Sequence, residues 1–90
     1  MASIRLSPDE LDSYASKLRS NASEAINLAS AISNNINGCA DGWEGNKRDQ
    51  FVAQFEEIKP TLTDKLPRLI EDMAKALNDI ANNFRAADQA

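Results

Sequence analysis

The sequence predicts an all-α fold: a long antiparallel helix-turn-helix hairpin that pairs with a second copy as a four-helix bundle. Three observations predict it. All three glycines, Gly38, Gly42 and Gly45, fall within one eight-residue stretch around the only tryptophan, Trp43. Glycine supplies backbone angles that a helix lacks, so the cluster marks a single reversal at the midpoint. The arm before it carries apolar residues at alternating steps of four and three, and the arm after it carries them at helical spacing with Pro60 and Pro67 inside the pattern. Helix one is expected at about residues 7–39, the turn at about 40–45 and helix two at about 46–86, in one domain over 1–90.

Helix one opens on a strong start signal. Ser7 stands at the N-cap position, Pro8 follows where its missing N–H is no loss, and Glu10 completes a capping box. Leu6 and Leu11 bracket the cap as a hydrophobic staple. From there Leu11, Ala15, Leu18, Ala22, Ala25, Ala29, Ile32, Ile36 and Cys39 form an unbroken seam of coiled-coil spacing. Alanine at several of these positions lets two backbones approach closely, while Tyr14, Ile26 and Leu28 widen the apolar face beyond the seam. Cys39, in register with Ile32 and Ile36, reads as a small buried hydrophobe.

Helix two starts after Gly45, with Asn46 placed to cap it and Asp49 three residues on. Phe51, Phe55, Ile58 and Leu62 follow at helical spacing. The face continues as Leu66, Leu69, Met73, Ala76, Ile80 and Phe84, with Ile70 and Leu77 at its border. The successive steps of four from Ile58 to Leu62 to Leu66 are a stutter in the heptad pattern. Each proline removes a backbone donor and crowds the preceding turn. Because the stripe keeps its face on both sides of them, the expectation is one continuous helix, bent near Pro60 or Pro67.

Composition narrows the function. The chain of 90 residues is 27% charged with a net charge of -4, so it offers no basic stripe for nucleic acid. Met1-Ala2-Ser3-Ile4-Arg5-Leu6-Ser7-Pro8 shows neither a basic n-region nor an apolar h-region, and no stretch reaches the length of a membrane span. Neither a cleavable signal peptide nor stable membrane insertion is expected. With no histidine and one cysteine, the usual zinc sets, His-based triads and an intramolecular disulfide cannot be assembled. Carboxylate pairs such as Glu56-Glu57 point apart on a helix. No catalytic residue, metal ligand or cofactor is expected.

An arm from Ser7 to Cys39 is about 48 Å long at roughly 1.5 Å per residue, and two such arms form a thin rod that buries little by itself. The apolar width beyond the minimal seam is therefore read as the contact surface of a homodimer.

The central Trp43-Glu44-Gly45, the opening Ile4-Arg5-Leu6-Ser7-Pro8-Asp9-Glu10-Leu11, and Phe51 with Phe55 after the turn resemble the WXG (early-secreted-antigen-like) family of small type VII secretion substrates. The resemblance spans essentially the whole chain. A lone Trp-x-Gly carries little information; at the midpoint of two amphipathic arms it becomes specific. The resemblance implies a leaderless secreted substrate or co-export adaptor of a Gram-positive-type system, made in the bacterial cytoplasm and exported as a folded helical dimer. Its implied partners are a second copy, the secretion system's membrane ATPase and a larger co-secreted effector. It implies Trp43 and Gly45 as a recognition motif, and a C-terminal export signal at Phe84 and Asp88, an aromatic residue followed four residues later by an acid. Phe84 stands where the family usually has tyrosine.

Trp43 and Phe84 lie roughly 60 Å apart within one hairpin at about 1.5 Å per helical residue. An antiparallel dimer would set the tip of one hairpin beside the open end of the other and join the two motifs. Trp43 also reads more simply as a ring plugging the end of the bundle, and Phe84 as the close of the apolar stripe. Two other functions stay open: a structural helical partner or chaperone for a larger effector, and a membrane-active amphipathic protein, disfavoured by the acidic balance.

Overall fold

The computed structural model describes residues 5–89, and the side chains of residues 5–87. Helix α1, Pro8–Asp41, begins at the capping signal: Ser7 Oγ accepts a hydrogen bond from the Glu10 amide at 3.2 Å. Gly38 lies inside its last turns, so the reversal is narrower than the glycine cluster and spans only 42–45. Gly42 closes the helix by directing its N–H at the carbonyls of Ala40 and Cys39. Gly45 has φ 110°, a left-handed value that an L side chain resists. It occupies the N-cap position of α2, Asn46–Pro60, and no side chain caps that helix. Asn46, expected as the cap, is instead the first helical residue, because the reversal requires glycine's positive φ immediately before the first turn.

After α2 the chain makes one π turn, Thr61–Lys65, and continues as α3, Leu66–Gln89. The prolines do not break the helix; they bracket a wider turn. Leu66 N–H reaches the carbonyl of Thr61, five residues back. Neither Pro60 nor Pro67 can donate to the carbonyl four residues before it, so the wide turn sits where the α ladder is already interrupted. The Thr63 hydroxyl donates to Lys59 O at 3.0 Å.

The π turn holds one residue more than an α turn, and everything after it is rotated by about 100° relative to a continuous α-helix. The expected inward face of Leu66, Leu69, Met73, Ala76 and Ile80 is therefore replaced by Pro67, Ile70, Ala74, Leu77 and Ala81, each one position later. Ala74 and Ala81 have no exposed surface. The expected residues turn outward: Leu66, Leu69, Met73, Ile80 and Phe84 are exposed by between 40% and 61%. In α2, Ile58 also faces out and Lys59 is half-buried.

On α1, Leu11, Ala15, Ala22 and Ala29 are buried, and Leu18, Ala25, Ile32 and Ile36 are half-buried. Cys39 is exposed, against expectation, and Ala40 is buried beside it. The cause is helical drift: a straight α-helix departs from a 3.5-residue repeat, so by its last turns the packed face runs through Ala29, Ser33, Ile36 and Ala40 and leaves Cys39 beside it. Small residues recur at seven-residue intervals on both partners, Ala15, Ala22 and Ala29 facing the set Pro67, Ala74 and Ala81, which permits close helix approach. The hairpin is a rod of 67 × 19 × 18 Å with a radius of gyration of 19.9 Å, where a compact chain of this length would have about 12 Å. Among the described residues no large side chain is fully buried.

Candidate recognition site

At the tip, the short reversal leaves Trp43 standing 41% exposed. Its ring rests against Phe51 of α2, with centroids 5.9 Å apart and planes tilted by 41°. The Trp43 amide donates to Ala40 O at 3.2 Å, and Arg48 Nε reaches the same carbonyl at 3.4 Å. Trp43, Gly45 and Arg48 thus line an open recess together with Ala40, Asp41 and Asp49.

At the open end, Phe84 faces solvent and the next residue, Arg85, is tied down. Its Nη2 donates to Asp9 Oδ1 and to Asp12 Oδ2, each at 2.7 Å. Asn78 Nδ2 donates to the other Asp12 oxygen at 2.6 Å. The hydrogen bond from Asn78, then that from Arg85, holds the Asp12 carboxyl below its ordinary range. The bonds to Asp9 and Asp12 push the Arg85 guanidinium up. Helix α3 runs through Asp88, whose side chain lies outside the described residues.

Arg85 and Asn78 belong to a longer polar ladder. Arg19 Nε donates to Glu71 Oε1 at 2.8 Å, so Glu71, Asn78 and Arg85, seven residues apart on α3, meet Asp9, Asp12 and Arg19 on α1. The apolar pattern of the two arms carries no trace of this ladder. The signal that could have revealed the ladder was the same seven-residue interval among polar residues.

The ladder fixes which flanks of the helices are adjacent. At about 100° per residue, Tyr14 and Leu28 lie on the flank of α1 opposite Asp12 and Arg19. Leu66, Leu69, Met73, Ile80 and Phe84 likewise lie opposite the ladder side of α3. The hairpin therefore has charged and amide bridges along one side and Tyr14, Leu28 and the large exposed residues of α3 along the other; Ile26, expected beside Tyr14 and Leu28, is exposed instead on the bridge side, next to Arg19 and Glu71. Trp43 and Phe84 stand near opposite ends of the 67 Å rod and do not meet within one chain. Among the described residues no cluster of His, Cys, Asp and Glu could hold a metal ion, and no helix is long and apolar enough to cross a membrane.

The fold and the site define a class: an extended helical hairpin with an accessible tryptophan at its tip and large apolar residues exposed along one flank. The sequence model of the family described as proteins of 100 residues with WXG matches residues 3–89, and the chain belongs to that family. It is 30% identical over 88 residues to the ESAT-6-like protein SAG1039 of Streptococcus agalactiae, covering 98% of this chain and 91% of that one. It is 26% identical over 89 residues to the type VII secretion system extracellular protein A of Staphylococcus aureus (strain USA300), covering 99% and 91%. The solved structure of the secreted protein EsxB from Bacillus anthracis matches with a TM-score of 0.77 at 27% identity, covering 98% of this chain and 99% of that one. The chain is a non-enzymatic helical protein associated with type VII secretion.

Proposed function

We propose that this protein is a substrate or co-export adaptor of a type VII secretion machine, exported as a folded homodimer. The observation that carries the reading is the outward apolar side of the rod. The chain exposes 6801 Å², whereas a compact monomer of 9.9 kDa exposes about 5,200 Å². The excess of about 1,600 Å² is enough for each subunit's share of a permanent dimer interface. A second copy supplies a matching apolar stripe of the same length, and two hairpins joined along that side make a four-helix bundle.

In the antiparallel pairing, the tip of each hairpin lies beside the open end of the other. Trp43 and Gly45 then come near the partner's Phe84 and the partner's Asp88, and the homodimer presents two composite signals to the membrane ATPase. Only the assembled dimer displays them. A stable complex with a different helical protein in place of the homodimer would favour instead the role of partner or chaperone to a larger effector.

The test is export itself. Trp43→Ala and Phe84→Ala are each expected to keep the protein inside the cell, with circular dichroism and sedimentation like those of the wild type. Either variant reaching the medium at the wild-type level, with cell lysis excluded by a cytosolic marker, would contradict the reading.

A further inference from the structure

Helix α3 carries two stripes capable of packing on α1, and they differ by one residue at five successive places: Leu66 or Pro67, Leu69 or Ile70, Met73 or Ala74, Ala76 or Leu77, Ile80 or Ala81. The phase of α2 is set by buried Phe55 and half-buried Leu62. Carried forward in α geometry, that phase brings Leu66, Leu69, Met73 and Ile80 against α1. Glu71, Asn78 and Arg85 then swing away from Arg19, Asp12 and Asp9, and the larger side chains hold the helices apart at Ala15, Ala22 and Ala29. With the extra residue of Thr61–Lys65 taken up in a π turn, the small stripe packs inward and the ladder closes.

We propose that the π turn bracketed by Pro60 and Pro67 is a phase-setting element: it selects the packing that turns the large apolar stripe outward as the docking surface for a second copy of this chain. The prolines favour the wide turn because both sit at its borders, where an α ladder would leave the carbonyls of Glu56 and Thr63 without amide donors. The identity of the occupant rests on the homodimer reading above. The phase of α3 does not, since the ladder and the alanine seam lie within one chain.

Thiol labelling reads the phase directly. In a Cys39→Ser background, Met73→Cys and Ala74→Cys each place a single thiol on one of the two stripes, and labelling with a soluble maleimide is followed at a dilution where the chain is monomeric. With the native prolines, position 73 is expected to react at least ~10-fold faster than position 74, which opens only by local unfolding. In Pro60→Ala/Pro67→Ala, which permits α geometry throughout, the preference reverses. Deleting Thr63 in that background restores it, because one residue fewer lets a continuous α-helix carry the small stripe inward. An unchanged preference in Pro60→Ala/Pro67→Ala overturns the proposal. Should that variant lose its helical circular dichroism, recovery on deleting Thr63 supports the proposal and failure to recover contradicts it. A wild-type chain that sediments as a monomer at all concentrations, with the labelling reversal intact, overturns the homodimer occupant and supports the phase-setting turn.

Discussion

Between the open end and the π turn, α1 and α3 are held by an alanine seam on the inside and by the Arg19–Glu71, Asp12–Asn78 and Asp9/Asp12–Arg85 bridges along one flank. Between the π turn and the tip, α1 and α2 touch little, Phe55 is the one buried residue of α2, and Ile32, Ile36, Phe51 and Val52 are only half-buried. The two halves have the same kind of helices and different kinds of joint. Close packing and directional bridges hold α3 in the rotational phase that leaves Phe84 exposed. A looser pairing lies next to the exposed Trp43.

Substitutions of the same chemistry in the two halves should separate most at the alanine seam. Ala81→Leu overpacks a site with no exposed surface and is expected to lower stability by about 1–3 kcal/mol in urea unfolding. Ala53→Leu, exposed on α2, is expected to stay within about 0.5 kcal/mol. Equal losses would erase the distinction between the halves.

The reversal sharpens it on a smaller scale. Gly45→Ala puts a side chain at φ 110° and is expected to lower stability by about 1 kcal/mol or more. Gly38→Ala, in the helix with no atom within 4 Å of the added methyl group, is expected to raise stability by about 0.5–1 kcal/mol. Thermal melts of the two variants should therefore shift in opposite directions.

The smallest effect belongs to the ladder and appears as a pH dependence. Asp12 titrates below its ordinary range in the folded chain, so its contribution is fully present above the ordinary carboxylate value near pH 4. It is lost as the pH falls through the depressed folded value. Asp12→Asn should lower the urea midpoint at pH 7 and flatten the acid limb of stability below about pH 4. An acid limb identical to that of the wild type would remove Asp12 from the account of the open-end half.

The start of α1 and its seam were legible because Ser7, Pro8 and Glu10 act locally and no proline interrupts the heptads that follow. The position of the reversal was legible from its glycines, although only Gly45 needs the freedom of glycine and Gly38 is ordinary helix. The facing of α3 was not. A hydrophobic stripe records phase only while the helix stays α, and the stutter at Ile58, Leu62 and Leu66 marked the place of the irregularity without its sense. Cys39 is exposed for a related reason: its spacing fits a 3.5-residue seam, while the straight helix turns Ala40 rather than Cys39 toward α2. The resemblance to the WXG family pointed to the pair Trp43 and Phe84. The polar bridges that tie the helix beside Phe84 to α1 came only from the packed hairpin.

The central claim is that Trp43 of one hairpin and the partner's Phe84 act as a single signal, and co-expression of two defective chains tests it most directly. A Trp43→Ala chain paired with a Phe84→Ala chain retains one intact composite site, formed by the tryptophan of the second and the phenylalanine of the first. Export of both differently tagged chains together, when neither is exported alone, is the predicted result. Retention of both chains in the cell, although they form the mixed dimer, would contradict it.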